Sequence, residues 1–158
     1  METEKLKFKV GLSSTGTDKH PHFRISINEE EKILASLESN DVSYYEFDAE
    51  VAEGEYNLNI ELLNKGNADT VIDEQGNILS DLVLNIESVE IDEIELSTLK
   101  WTHSEYRPIY PVKHVASVYK QTGEHPAETV KNCVNLGWNG KWTLPFQSPF
   151  YVWLLENM

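Results

Sequence analysis

The sequence predicts an all-β protein, an antiparallel β-sandwich (jelly roll) followed by an irregular, aromatic-rich C-terminal extension. Apolar residues alternate with polar ones in several segments, as in strands with one buried face. Glycine, asparagine and aspartate cluster between these segments, as in turns. Beyond Leu99 the alternation ends, and all four tryptophans follow. We therefore expect a β-sandwich over residues 1–99, and an extension over residues 100–158 that packs on it or on a partner subunit.

The clearest strand pattern lies in residues 78–96, ILSDLVLNIESVEIDEIEL. Its apolar residues change parity twice, after Ile86 and again after Ile91. A strand that keeps one face buried changes parity only where an extra residue is inserted. We therefore predict one long bent strand, with a β-bulge or bend near Glu87-Ser88 and another near Asp92-Glu93.

Earlier segments show the same alternation. Residues 5–14 place apolar side chains on one face and lysines on the other, a basic face that discourages edge-to-edge pairing. Residues 23–37 predict a hairpin around a polar turn, with a short helix from Glu29 to Ser36 as the alternative. Residues 42–51 and 55–62 predict two strands joined by a tight turn, and residues 71–79 predict a hairpin around a glycine-containing loop.

The C-terminal extension is rich in proline and large apolar residues. Residues 111–123 have the spacing of a short helix, and Asn139-Gly140 is typical of a tight turn. So many large apolar side chains need cover. We expect them to pack on the chain's own core, with an intersubunit contact as the alternative, which favours a homo-oligomer.

Charge is distributed unevenly along the chain. Residues 1–99 contain 7 basic and 23 acidic side chains, whereas residues 100–158 contain 6 and 4. The acidic first part repels phosphate backbones, which argues against nucleic-acid binding. No apolar run is long enough to cross a bilayer, and the N-terminal residues are charged rather than signal-like. The single cysteine, Cys133, suits a reducing cytoplasm.

A calcium site is one interpretation of four polar residues at or near the turns after two strands: Asn64, Asp69, Asp73 and Asp81. Calcium takes six to eight oxygen ligands, from carboxylates and loop carbonyls. In the alternative interpretation, Asp73 only shapes a hairpin and Asp81 is a solvated flanking residue.

Catalytic motifs are missing from the sequence. It contains no glycine-rich phosphate loop, no nucleophile elbow and no paired-histidine zinc motif. We therefore predict a protein that is not an enzyme. Three aromatic residues, Trp101, Tyr106 and Trp138, are candidates for exposed rings that stack on pyranose sugars.

Residues 44–91 resemble the calcium-dependent xylan-binding family of carbohydrate-binding modules. The resemblance lies in EGEYNLNIELLNK, a short acidic loop, and DLVLNIESVEI. In that family, the loop and the aspartate at the start of the following strand hold calcium. Asp81 matches this aspartate, and Asn64 matches the polar residue that ends the preceding strand. Where the family has an asparagine two residues after the aspartate, this chain has Val83.

A second resemblance covers almost the whole chain. The segments KFKVGLS, SVEIDEIELSTLKW, SEYRP and NLGWNGKWTLPFQSPFYVWLLEN resemble small proteins of tailed bacteriophages, notably of marine cyanobacteria, that are carbohydrate-binding-like. This implies a non-enzymatic virion accessory or adhesion protein, located in the virion or the host cytoplasm. Its partners would be phage structural proteins or a cell-surface glycan. The alternatives are a calcium-dependent glycan-binding module acting on its own, and a small glycan hydrolase that uses two acids.

Overall fold

The computed structural model describes residues 3–15, 20–65, 71–72, 74–75, 78–80, 82–110, 112–124, 126 and 128–157. Within these residues, most of the chain is extended and three short helices lie after residue 98. The strands are β1 (Thr3–Thr15), β2 (His22–Ile27), β3 (Glu30–Ser36), β4 (Ser43–Ala52), β5 (Gly54–Leu62), β6 (Val71–Ile72), β7 (Ile78–Ser80), β8 (Val83–Ile91), β9 (Ile94–Glu95), β10 (Glu105–Pro108), β11 (Val130–Lys131), β12 (Asn135–Leu136) and β13 (Gly140–Ser148). The helices are α1 (Leu99–Thr102), α2 (Val112–Thr122) and α3 (Phe150–Asn157).

Two antiparallel sheets pack face to face, which confirms the predicted all-β sandwich. The five-stranded sheet has the order β12-β8-β1-β4, with β9 paired to β8. The six-stranded sheet has the order β11-β10-β13-β5-β2-β3. Strands β6 and β7 form the separate hairpin that residues 71–79 predict.

The core lies between the sheets and is built from the inward positions of each strand. Phe8 of β1 is fully buried at its centre. Its ring stacks on Phe47 of the same sheet at a centroid distance of 4.9 Å, and contacts Phe146 of the facing sheet at 5.7 Å. Burying one such side chain stabilises the fold by about 1.5–3 kcal/mol. The alternating apolar residues of β1, β4 and β5 therefore pack in one shared core.

The first predicted bulge is present in β8. In the pairing with β1, Gly11 lies opposite Ser88 and Leu12 lies opposite Ile86, so Glu87 is the extra residue. The carboxylate of Glu87 accepts a hydrogen bond from the Ser13 hydroxyl at 2.6 Å. Because the bulge absorbs one residue, the apolar residues on both sides of it face the core.

The second change of parity has a different cause, and the prediction of one long strand through residues 78–96 is wrong. Asp92 and Glu93 have φ values of 51° and 68°, and Ile91 pairs with Ile94 directly across them. Positive φ at both central residues is what a two-residue hairpin turn requires. The chain therefore reverses here, and the segment forms the three strands β7, β8 and β9.

Strand β1 is a central strand, so its basic face does not protect an open edge of the sheet. It lies between β8 and β4, and its lysines lie beside carboxylates of β4. The register places Lys5 opposite Glu50, Lys7 opposite Asp48 and Lys9 opposite Glu46. Opposite charges directly across two strands stabilise a sheet by roughly 0.2–1 kcal/mol per pair. The lysines thus match the acidic outer face of β4.

The C-terminal part is more regular than its sequence indicated. Strand β13 lies inside the six-stranded sheet, between β10 and β5, and β12 pairs with β8 in the other sheet. The helix predicted in residues 111–123 is confirmed as α2, and residues 23–37 form the β2–β3 hairpin rather than a helix. No helix in the described ranges is long and apolar enough to cross a membrane.

Candidate functional site

A polar groove crosses the outer face of the six-stranded sheet. Inward residues of β13, such as Trp142 and Leu144, are buried in the core, so their neighbours Lys141 and Thr143 face outward. The groove has a volume of about 780 Å³, within the range of small-molecule binding sites. Its lining comes from β5, β10, β13, the β2–β3 turn and the residue after α1: Asn57, Asn59, Glu105, Arg107, Lys141, Thr143, Pro145, Asn28, Glu29 and His103.

A second cavity, of about 420 Å³, extends the groove along the strands. The two cavities share Asn57, His103 and Pro145. The second one continues to Gln147 and its cross-strand partner Glu55. Six residues of strand separate positions 141 and 147, which corresponds to about 20 Å. The combined depression is therefore long enough for a linear ligand that lies parallel to β13.

Two short polar side chains, Asn59 and Thr143, form the floor of the groove. They lie side by side in the register of β5 and β13, with Ser26 of β2 on the other side of Asn59. Although these positions face outward, Asn59 is only 4 % exposed. Its Oδ1 accepts a hydrogen bond from the Thr143 hydroxyl at 2.9 Å, and its Nδ2 donates to the Asn28 carbonyl at 2.8 Å. The floor is therefore low and held in one conformation.

The β2–β3 turn closes one side of the groove. Asn28 has a φ of 53°, in the left-handed region that asparagine tolerates. Its backbone N–H donates to the Asn57 carbonyl at 2.8 Å, and its Oδ1 accepts from the Asn57 N–H at 2.9 Å. These bonds, together with the contact to Asn59, fix the turn that carries Glu29 beside the groove.

One end of the groove is cationic. Arg107 of β10 lies directly opposite Lys141 of β13. Glu105 lies between two cations, with Arg107 Nη2 at 3.9 Å and Lys131 Nζ at 3.7 Å from its carboxylate oxygens. On the far side of Lys141, Glu61 is its cross-strand neighbour. Two cations therefore contact Glu105, and a third, Lys141, lies between Arg107 and Glu61 in the strand register.

Of the four residues of the predicted calcium site, the described part of the chain contains only Asn64. Asn64 braces the chain before β2: its Oδ1 accepts from the His22 N–H at 2.8 Å, and its Nδ2 donates to the His20 carbonyl at 3.0 Å. Asp69, Asp73 and Asp81 lie outside the described residues. Among the residues that are described, no group of three or more histidine, cysteine, aspartate or glutamate side chains is placed to hold a metal. Calcium binding stays a prediction.

The prediction of an exposed ring at Tyr106 is wrong. Tyr106 is 3 % exposed, because it occupies an inward position of β10. Its hydroxyl donates to the Trp138 carbonyl and accepts from the Trp138 N–H at 2.9 Å. Burial raises the pKa of Tyr106 well above that of a free tyrosine, and the hydrogen bond to Trp138 opposes this only in part. Tyr106 therefore anchors the segment before β13.

The other two predicted aromatic residues differ from each other. Trp101, on α1, is 46 % exposed. Trp138 is half-buried, with Lys65 Nζ 4.8 Å from its ring centroid and the Tyr110 ring packed edge-on at 5.8 Å. Both a cation and an aromatic ring already contact Trp138. Of the three candidates, Trp101 has the ring most accessible to a sugar.

The groove residues were not singled out by the sequence, although a signal for them exists. Six outward positions of β1 and β4 hold charged residues, whereas those of the groove floor are asparagine and threonine. The six are Lys5, Lys7, Lys9, Glu46, Asp48 and Glu50. Short polar residues at several outward positions indicate a depression in the sheet surface. What the sequence cannot indicate is that β2, β5 and β13 lie side by side.

Comparison with models of protein families, with curated proteins and with solved structures finds no match to this chain. The groove on the six-stranded sheet is therefore the feature on which a function can be based.

Proposed function

We propose that the protein is a non-enzymatic binding module that holds a glycan in the groove, and that it serves as an accessory or adhesion protein of a phage particle. The observation that supports glycan binding is the row of fixed, short polar side chains on the floor, flanked by charged residues. Sugar hydroxyls both donate and accept hydrogen bonds. The amides, hydroxyl, carboxylates and cations of the groove offer donors and acceptors in the same space.

Rigidity of the floor favours binding. The Asn59 amide is held from two sides, by Thr143 and by the Asn28 carbonyl. A ligand that binds here does not have to order these side chains, so less conformational entropy is lost on association. Polar groups positioned in advance also give specificity among sugars that differ only in the direction of a hydroxyl.

Flat ring surfaces in the groove come from the apolar Pro145 ring and the aromatic face of His103, which line both cavities. The His103 ring packs edge-on against Trp153, at a centroid distance of 6.4 Å. Flat apolar surfaces beside hydrogen-bonding groups suit the two kinds of surface of a pyranose ring, its C–H face and its hydroxyl edge. A chain of sugars lying along β13 would meet both.

The phage assignment is supported by the resemblance of the closing segment, GWNGKW to SPFYVWLLE, to small tailed-phage proteins. Its test is copurification with particles in a density gradient, where the protein should band with virions and not remain free in the lysate. Phage structural partners, a homo-oligomer and calcium stay predictions that accompany this proposal.

A glycan array tests the binding function directly. The full-length protein should bind a defined set of oligosaccharides, and calorimetry on the best of them should give a stoichiometry of one per chain. Asn57→Ala removes an exposed groove amide while keeping the backbone bonds to Asn28. We expect affinity to fall about tenfold, as for the loss of one or two ligand hydrogen bonds.

The matched control is Glu46→Ala, an exposed strand position on the other sheet, which should leave affinity unchanged. Absence of binding across the array would contradict the proposal. Release of reducing ends from a bound glycan would favour the hydrolase alternative. Loss of binding in a chelator, restored by calcium, would favour the calcium-dependent module.

A further inference from the structure

We infer that the groove selects an acidic glycan, and that a sugar carboxylate lies against Arg107 and Lys141. This inference rests on the proposed function of the groove and names the class of its ligand.

The pairing of Arg107 with Lys141 is the first observation. They are direct neighbours across β10 and β13, and both side chains are exposed. Like charges directly opposite each other destabilise an antiparallel pair. A carboxylate placed between them would remove this repulsion and accept hydrogen bonds from both cations. A guanidinium and a carboxylate also match in geometry, because both are planar and can form two parallel hydrogen bonds.

Neighbouring carboxylates do not neutralise this pair. The Glu61 carboxylate, beside Lys141, is 3.4 Å from Arg24 Nη1, and that arginine also lies 2.8 Å from Glu31. Within the described part of the chain, Lys141 forms no ion pair. The carboxylate of Glu105 is contacted by Lys131 as well as by Arg107. The cations at this end exceed the carboxylates by one, four against three: Arg24, Arg107, Lys131 and Lys141 against Glu31, Glu61 and Glu105. Of these cations, Arg107 and Lys141 line the groove.

The position of the pair fits a sugar acid. Lys141 and Thr143 are two residues apart on β13, which places their side chains about 7 Å apart on the same face. A carboxylate at the cationic end would thus put its sugar ring over Thr143 and the Asn59 floor. Glu29, in the β2–β3 turn, would accept hydrogen bonds from ring hydroxyls.

The net charge of the protein, −14, does not oppose this arrangement at short range. At physiological ionic strength the Debye length is about 8 Å, so distant exposed carboxylates are largely screened. The two cations in contact with the ligand dominate its local field. Raising the salt concentration should weaken binding of the acidic ligand and leave that of a neutral one nearly unchanged.

The experiment is an array on which each acidic polysaccharide is printed in its native form and in its carboxyl-reduced form, in which the uronate becomes a primary alcohol. We expect the native form to bind at least about tenfold more tightly, as for one lost charge-assisted contact. The double variant Arg107→Met/Lys141→Met should bind both forms at the level of the reduced one. Its melting temperature is recorded alongside, so that loss of fold is distinguished from loss of the contact.

The control is Lys5→Met/Lys7→Met, which removes two exposed strand cations from the other sheet and should retain the preference. Equal binding of native and reduced forms, or a preference unchanged in the Arg107/Lys141 variant, would overturn the inference and leave glycan binding intact. No binding to any form would overturn the proposed function, and the inference with it.

Discussion

Two glycines at strand starts have nearly the same φ but different surroundings. Gly54 has a φ of 151° and Gly140 a φ of 153°. A Cβ added at Gly54 would meet no atom within 4 Å, whereas one at Gly140 would lie 2.8 Å from Pro108 Cα and clash with the Arg107 carbonyl. Gly140 thus allows β10 and β13 to approach at the cationic end of the groove.

Substituting each glycine with alanine separates backbone strain from this close approach. Gly54→Ala should lower the free energy of unfolding by about 1–2 kcal/mol through strain alone. Gly140→Ala should lower it by at least about 2 kcal/mol more, because backbone atoms of β10 must move. Urea unfolding of both variants measures the difference. Equal losses of the free energy of unfolding would mean that the close approach of Gly140 to β10 does not contribute to stability.

Tyr106 makes stability depend on pH in the alkaline range. Its pKa is raised by burial in the folded protein, whereas in the unfolded chain it ionises near pH 10. The folded state thus retains a proton that the unfolded state loses, so stability is full below pH 10 and falls as the pH rises above it. Tyr106 should titrate last of the seven tyrosines in an absorbance titration.

Tyr106→Phe is the control for this titration. It should remove the latest tyrosine transition and lower stability at neutral pH by about 1–3 kcal/mol, because the Trp138 N–H and carbonyl both lose their partner. Tyr44→Phe, at a ring that is exposed, should leave the latest transition in place. A late transition that persists in Tyr106→Phe would contradict the assignment.

At the scale of elements, the bulge in β8 gives a sharp test of register. Deleting Glu87 would leave Ile86, Ser88 and Val89 in regular alternation, with the same partners on β1. The variant should therefore fold, with a modest loss that includes the Ser13 hydrogen bond. Deleting Glu90 instead would turn Ile91 away from the core.

Thermal melts of the two deletions give the comparison. The Glu87 deletion should melt cooperatively, and the Glu90 deletion should lose its cooperative transition, because a slipped strand exposes its apolar face. If both deletions melted alike, the unpaired position of Glu87 would not explain why its deletion is tolerated.

Local patterns in the sequence were enough to predict elements but not their neighbours. Alternation predicted β1, β4 and β5, and the change of parity at Glu87 predicted the bulge, because both follow from which residues meet the core. The change of parity at Asp92-Glu93 predicts a bulge or bend by the same argument, whereas both residues adopt positive φ and the chain reverses there. The groove was missed because Asn59 and Thr143 are 84 residues apart in the chain.

At the scale of the whole molecule, the strand order places the last third of the chain within the sandwich. Strand β13 pairs with β5 along nine residue pairs, from Gly140–Leu62 to Ser148–Gly54. Three of its side chains, Trp142, Leu144 and Phe146, are fully or almost fully buried. Glu4 of β1 accepts a hydrogen bond from the Phe150 N–H at 2.9 Å, which joins the beginning of the chain to α3. Residues 100–158 therefore complete both the sheet and the core.

A split of the chain tests this dependence. Residues 1–99 alone should fail to fold, because loss of the β13 side chains costs on the order of 10 kcal/mol, comparable to the stability of a typical domain. A protease site placed at Gly123-Glu124, between α2 and β11 and exposed, should by contrast be cut without separating the two fragments. Gel filtration after cleavage, with near-ultraviolet circular dichroism of the tryptophans, measures association and packing.

A folded 1–99 fragment with a cooperative melt would contradict the central role of β13, since β5 would then be stable with its edge unpaired. Cleaved fragments that stay together but lose the dichroism of Trp142 would show that the cut segment, not β13, sets the packing of the core.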